Sequence, residues 1–182
     1  MNCPNCGAPM RLVRDRDYWV CEYCTTFHFP RENDEGLRVL GEDSQLLCPV
    51  CRVELVTAAV EQAPVLTCPK CRGILTGPPN FRKIVDLRRR TSAKQEHVLH
   101  PLDPAELERA INCPQCAQPM DAHPYYGPGN AVVDSCGHCA LIWLDHGELT
   151  VIVTAPEERK HRPYKTSETM KRLIRWNNDL AD

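Results

Sequence analysis

Apolar residues along this chain come in short runs of at most six, broken by polar turns, and no run is long enough to form one continuous core. Residues 11–14 and 18–21 read as two short strands joined by the polar stretch 15–17, which predicts a hairpin. Residues 54–60 and 64–67 predict a second pair of strands. Two helices are expected further on. Asn80 can cap one whose apolar face is Phe81, Ile84, Val85 and Leu87, running into Arg88, Arg89 and Arg90. Asp103 can cap a shorter one over 104–111. A third helix is expected from about Ser167, with Met170, Leu173, Ile174, Trp176 and Leu180 apolar and Lys171, Arg172 and Arg175 largely opposite. Between the strand pairs, 31–45 reads as an acidic connector with Glu32, Asp34, Glu35, Glu42 and Asp43.

Composition changes the picture. The chain has 182 residues, 12 cysteines, 16 prolines and 6 % aromatics, which favours several small modules over one large core. A module of fewer than about 40 residues needs a cross-link to offset chain entropy, and cysteine is the residue in excess. Cys3 opens the first cysteine motif, so no charged start and apolar middle of a secretion signal precede it. No run approaches the ~20 apolar residues of a membrane span. A cytoplasmic, reducing location is therefore expected, where thiols bind metal and disulfides are rare.

All twelve cysteines fall into six CxxC pairs: Cys3 and Cys6, Cys21 and Cys24, Cys48 and Cys51, Cys68 and Cys71, Cys113 and Cys116, Cys136 and Cys139. The gaps between successive pairs are 14, 23, 16, 41 and 19 residues, so the short gaps define three repeats. A CxxC turn aims two sulfurs at one point, and two such turns about 15 to 20 residues apart give the tetrahedral four-thiolate site that zinc favours. Pro4, Pro49, Pro69 and Pro114 follow first cysteines and preset the turn. Gly7, Gly73 and Gly137 are expected where backbone turns sharply or passes close to sulfur. The fold class expected is three zinc ribbons in tandem, small metal-stabilised β modules with short connecting helices and a C-terminal amphipathic helix. The boundaries are ribbon one 1–30, connector 31–45, ribbon two 46–79, a helical and partly basic connector 80–111, ribbon three 112–155 and tail 156–182.

Iron is the rival metal, since four thiolates bind it tetrahedrally too and aromatics crowd ribbon one at Tyr18, Trp19, Tyr23, Phe27 and Phe29. Zinc is preferred on availability and ligand softness. Four thiolates leave no open coordination position, so the three zinc ions are expected to be structural. His28, His138 and His146 lie in or just after knuckles and are expected at the surface or beside the ligands.

In the third repeat, CPQC followed by VDSCGHCALIWLDHGEL resembles the transcription factor IIB-type zinc-finger family, whose second knuckle leads into WLDxGEL. The matching positions are Trp143, Leu144, Asp145, Gly147, Glu148 and Leu149. The resemblance implies zinc binding and a ribbon fold. Trp143 and Leu144 are expected to cover the metal turn, and Asp145 with Glu148 to form a capping box.

Three functions compete. A non-catalytic interaction scaffold, with ribbons presenting loops and helices to protein partners, is preferred. Direct nucleic-acid binding through the basic segment 82–94, six bases against one acid, and the basic tail is the alternative, with Trp19, Tyr125 or Trp176 for stacking. Charge weighs against it: the formal net charge is −2, and each zinc–tetrathiolate centre adds a further −2. No enzyme is expected, because the sequence offers no nucleophile–base pattern, phosphate loop or open metal site; His97, His100 and Asp103 are the nearest approach to one.

Overall fold

The computed structural model describes residues 1–14, 16–91, 101–125 and 129–155. The tail helix expected from Ser167, with Trp176, lies outside them, as do His97, His100 and the end of the 82–94 basic segment. The described chain is mostly strand. β1 (Arg11–Val13), β2 (Tyr18–Val20) and β3 (Phe27–His28) form a three-stranded sheet in the order β1-β2-β3. A second sheet of seven strands contains β4 (Leu37–Leu47), β5 (Glu54–Val60), β6 (Ala63–Thr67), β7 (Ile74–Thr76), β8 (Asp121–Pro124), β9 (Val132–Cys136) and β10 (Leu141–Leu144), in the order β4-β5-β6-β7-β10-β9-β8. Three helices complete it: α1 (Pro78–Thr91), α2 (Pro104–Glu108) and α3 (Glu148–Thr154).

The order of the large sheet joins the second and third repeats edge to edge. β7 and β10, each the strand that follows the second knuckle of its repeat, pair antiparallel with Leu75 opposite Trp143, Ile74 opposite Leu144 and Thr76 opposite Ile142. Leu75 and Trp143 each stand four residues after the last cysteine of their own repeat. The pairing therefore has an approximate twofold axis through that residue pair, with β5 and β6 on one side and β8 and β9 on the other.

Strand alternation then sorts side chains onto two faces. On one face Ala58, Val60, Val65, Ile74, Val133 and Leu144 pack under Phe81, Ile84 and Val85 of α1 and Leu149, Ile152 and Val153 of α3. On the other, Leu55, Leu75, Met120 and Trp143 form a core with the cysteines of both repeats. The first repeat has its own small core of Cys3, Met10, Trp19 and Cys21.

Several expectations are corrected. The segment 31–45 is more than a connector: 37–47 is β4, an edge strand that pairs β5 with two register shifts. Its alternation is hidden from a sequence reading because Glu42, Asp43 and Ser44 fall inside it, and the bulges interrupt its period. α1 begins at Pro78, where proline's missing N–H costs nothing in a first turn. Asn80 is thus inside the helix, and its side-chain amide donates to the Pro64 carbonyl at 2.9 Å. α2 does have Asp103 as N-cap, accepting from the Ala105 N–H at 2.9 Å, but it ends at Glu108.

Candidate metal centres

Each knuckle is a turn built by the backbone. In five of the six, the first cysteine's carbonyl accepts from the N–H four residues on, as in Gly7 to Cys3 at 2.9 Å and Arg72 to Cys68 at 2.9 Å. The residue making that bond has a left-handed φ: Gly7 73°, Thr25 58°, Arg52 59°, Arg72 62°, Ala117 59°, with Ala140 at 52° in the sixth. Glycine is the residue suited to this conformation, yet only Gly7 supplies it. Gly73 and Gly137 serve otherwise. A Cβ on Gly73 would lie 2.2 Å from the Trp143 ring, so its role is to admit the indole and not to pass near sulfur. Gly137 has nothing within 4 Å of that position.

The turns bring the cysteines together in fours: Cys3, Cys6, Cys21 and Cys24; Cys48, Cys51, Cys68 and Cys71; Cys113, Cys116, Cys136 and Cys139. Within each quartet the sulfurs all lie within 4.8 Å of one another. Four sulfurs about 2.3 Å from a central ion would be about 3.8 Å apart along each edge of a tetrahedron. The closest pairs match that figure: Cys3 to Cys24 3.5 Å, Cys6 to Cys21 3.6 Å, Cys48 to Cys71 3.7 Å and Cys116 to Cys136 3.7 Å. Each quartet fits one zinc ion with four thiolates and no water position. Bound there, the ion would supply a cross-link between two hairpin ends.

Backbone donors prepare the sulfurs for negative charge. The Cys51 N–H points at the Cys48 sulfur at 3.2 Å, Cys71 at Cys68 at 3.4 Å and Cys139 at Cys136 at 3.4 Å. A donor to the ionised form lowers a thiol's pKa. The backbone bond from Cys139 accordingly holds Cys136 down at about 7, and the Thr26 hydroxyl and N–H hold Cys24 at about 6. Crowding works the other way: burial and the neighbouring Cys116 and Cys113 thiols push Cys139 up to about 12. One quartet cannot carry four bare thiolates, and a divalent cation removes that conflict.

The second and third centres are not separate. All eight of their cysteines belong to one apolar cluster, with Trp143, fully buried, between the quartets. The Trp143 indole N–H donates to Asp145 Oδ1 at 2.9 Å. Leu144 points the other way, into the helix-side core, so only Trp143 covers the metal turn. The capping box is half formed. Glu148 Oε2 accepts from the Asp145 N–H at 2.7 Å, while the Asp145 carboxylate is taken by Trp143 and Arg109 and α3 starts from Gly147 at φ 98°. Burial pushes the Glu148 carboxyl up to about 8.

Sequence reasoning missed Arg109, Asp134 and Glu35. Arg109 caps α2 and reaches both Asp145 and the buried Asp134 on β9. Burial raises the Asp134 carboxyl, and Arg109 opposes that shift. Glu35, from the supposed connector, accepts from His146 Nδ1 at 2.6 Å and the Gly147 N–H at 2.9 Å. None of His28, His138 and His146 belongs to a quartet.

The residues expected to meet nucleic acid are largely engaged elsewhere. Trp19 is 4 % exposed, and Tyr125 packs edge-on against Phe81 at 5.5 Å. Arg88 lies against Gly36 and pairs with Glu61 at 3.4 Å, and Arg89 donates to the Ile152 carbonyl at 2.8 Å. Arg82, Lys83 and Arg90 remain exposed. The exposed aromatic surface is instead on ribbon one, where Phe27 and Phe29 are 55 % and 65 % exposed and the rings of Tyr18, Phe27 and Phe29 lie 5.1 to 6.4 Å apart.

A family model described as a transcription factor zinc-finger, the zinc ribbon of TFIIB type, matches residues 47–86 and 112–155. Those segments are the second and third repeats, the halves of the joined sheet. No curated protein and no solved structure matches the chain. No described helix is long and apolar enough to cross a membrane.

Proposed function

Because residues 47–86 and 112–155 are two zinc ribbons of the transcription factor zinc-finger type, we propose that the chain is a non-catalytic zinc protein that acts as an interaction scaffold or adaptor. The family's name is compatible with work in transcription or another nucleic-acid process, as one protein within an assembly. The supporting observation is the contrast between the two kinds of surface. Four-thiolate centres are closed to substrate and act as staples, while ribbon one holds Phe27 and Phe29 out beside the half-buried Tyr18 on a metal-clamped sheet. Leaving such rings in water is unfavourable, and contiguous exposed apolar surface marks protein contacts. Their surroundings carry both signs, as in the exposed Arg11–Glu22 pair at 2.6 Å, which suits a protein partner better than a polyanion.

Affinity purification of the zinc-loaded chain, with and without nuclease, tests this beside a Phe27→Ala, Phe29→Ala variant. A partner protein should be captured in both treatments and lost or weakened at least tenfold with the variant. Loss of all capture on nuclease treatment, together with salt-dependent RNA or DNA binding in an anisotropy titration, would establish the nucleic-acid alternative in its place.

A further inference from the structure

The metal-binding end of ribbon two differs from those of the other two ribbons. Its knuckles place Arg52 and Arg72 at the left-handed position that follows the second cysteine, with φ of 59° and 62°. Lys70 stands between Cys68 and Cys71, and all three residues are exposed. They start from beside a single quartet, because the Arg52 N–H donates to the Cys48 carbonyl at 3.0 Å and the Arg72 N–H to that of Cys68 at 2.9 Å. Among the described residues Arg52 and Lys70 have no ion pair, and Arg72 meets Asp34 at 3.7 Å with both side chains more than half exposed.

The metal does not account for these charges. Four thiolates and one divalent ion carry the same net charge in every ribbon. Yet the corresponding positions of ribbon three hold Gln115, Ala117, His138 and Ala140, and those of ribbon one hold no base. Nor does the turn require arginine, since Gly7 makes the same turn in ribbon one. Two aliphatic side chains stand at the same end: Val50, inside the first knuckle, is 46 % exposed, and Leu47, just before it, is 49 % exposed.

We propose that this end of ribbon two is a docking surface for an acidic protein segment that also carries aliphatic side chains, a contact separate from the aromatic face of ribbon one. The charges are complementary: Arg52, Lys70 and Arg72 sit on one metal-clamped end and donate to carboxylates. Leu47 and Val50 supply apolar contact beside them. The same features disfavour a nucleic acid. Residues 47–53 and 68–73 contain no aromatic on which a base could stack. A long polyanion would also run past three bases onto a chain whose formal net charge is already −2, whereas a short acidic segment ends within the basic cluster.

Fluorescence anisotropy of the full-length zinc-loaded chain tests the proposal, with a labelled dodecapeptide of repeated Asp-Glu-Leu as the probe. Binding should be at least tenfold weaker for a peptide of repeated Asn-Gln-Leu, and should weaken with added salt. The variant Arg52→Gly, Lys70→Ala, Arg72→Gly should keep three zinc ions and its unfolding midpoint, because glycine suits both left-handed positions, while losing at least tenfold in affinity for the acidic peptide. If that variant sheds zinc, Lys70→Glu, which leaves both left-handed positions untouched, takes its place with the same expectation. Phe27→Ala with Phe29→Ala should leave this affinity unchanged, which separates the contact from the aromatic face. No binding by the parent chain, equal binding of the uncharged peptide, or affinity untouched in the zinc-loaded variant would each overturn it. So would a loss on changing Phe27 and Phe29, or tighter binding of a single-stranded RNA of equal length that the variant abolishes.

Discussion

Trp143 and Gly73 meet across the seam between two ribbons, and neither can change size alone. The missing side chain of Gly73 is the space the indole occupies, since a Cβ there would stand 2.2 Å from Cζ2 and 2.7 Å from Cη2 of Trp143. Trp143 has no freedom to retreat, being fully buried with its N–H held by Asp145. Gly73→Ala is therefore expected to cost about 1–3 kcal/mol through overpacking. Denaturant unfolding of the zinc-loaded chain, with a lowered midpoint and blue-shifted tryptophan emission disturbed, checks it. Gly73→Ala combined with Trp143→Phe should recover part of the loss, because the smaller ring vacates the contested space. The cysteines, and hence the centres, could be read from spacing alone. Gly73's partner could not, because the close approach is between residues 70 positions apart whose strands pair only once both ribbons have folded.

At the scale of elements, the ends of the helices matter more than their lengths. α2 stops at Glu108, and the next residue, Arg109, ties the helix to β9 through Asp134 and to the α3 approach through Asp145. Asp134's side chain is 1 % exposed, so its charge depends on that guanidinium. Arg109→Met is expected to destabilise the third ribbon by about 3–5 kcal/mol, the usual cost of stranding one half of a buried ion pair. Arg109→Met with Asp134→Asn should restore much of it, since the remaining carboxylate, Asp145, is partly exposed and keeps the Trp143 N–H; thermal unfolding of both variants decides. The hairpins of ribbons one and two were legible as short apolar segments broken by polar turns between paired knuckles. β4 was not, because acidic residues and register shifts disguise an edge strand as a connector, and α1's start was misplaced by crediting Asn80 over Pro78.

For the whole molecule, the seam decides how many cooperative units there are. Ribbons two and three share a sheet, a helix-side core and a cysteine-lined core, while ribbon one keeps its own. The sequence suggested three small modules in tandem, and the β7–β10 pairing joins two of them in one sheet. Structural zinc supplies roughly 10 to 16 kcal/mol of folding free energy, so losing one ion from the merged pair should endanger the other. Cys51→Ser is expected to lower zinc content from three equivalents toward one, and Cys6→Ser from three to two. Metal analysis after gel filtration distinguishes these outcomes, and a Cys51→Ser chain that keeps two equivalents would show the ribbons to be uncoupled.

The antiparallel meeting of Leu75 and Trp143 has one more consequence. Two identical ribbons associating through this edge would be bound to present the same residue from both sides, and two facing indoles would crowd the axis. Covalent linkage lifts that restriction. One half can carry the bulky ring while its counterpart shrinks to receive it, and dilution cannot part them.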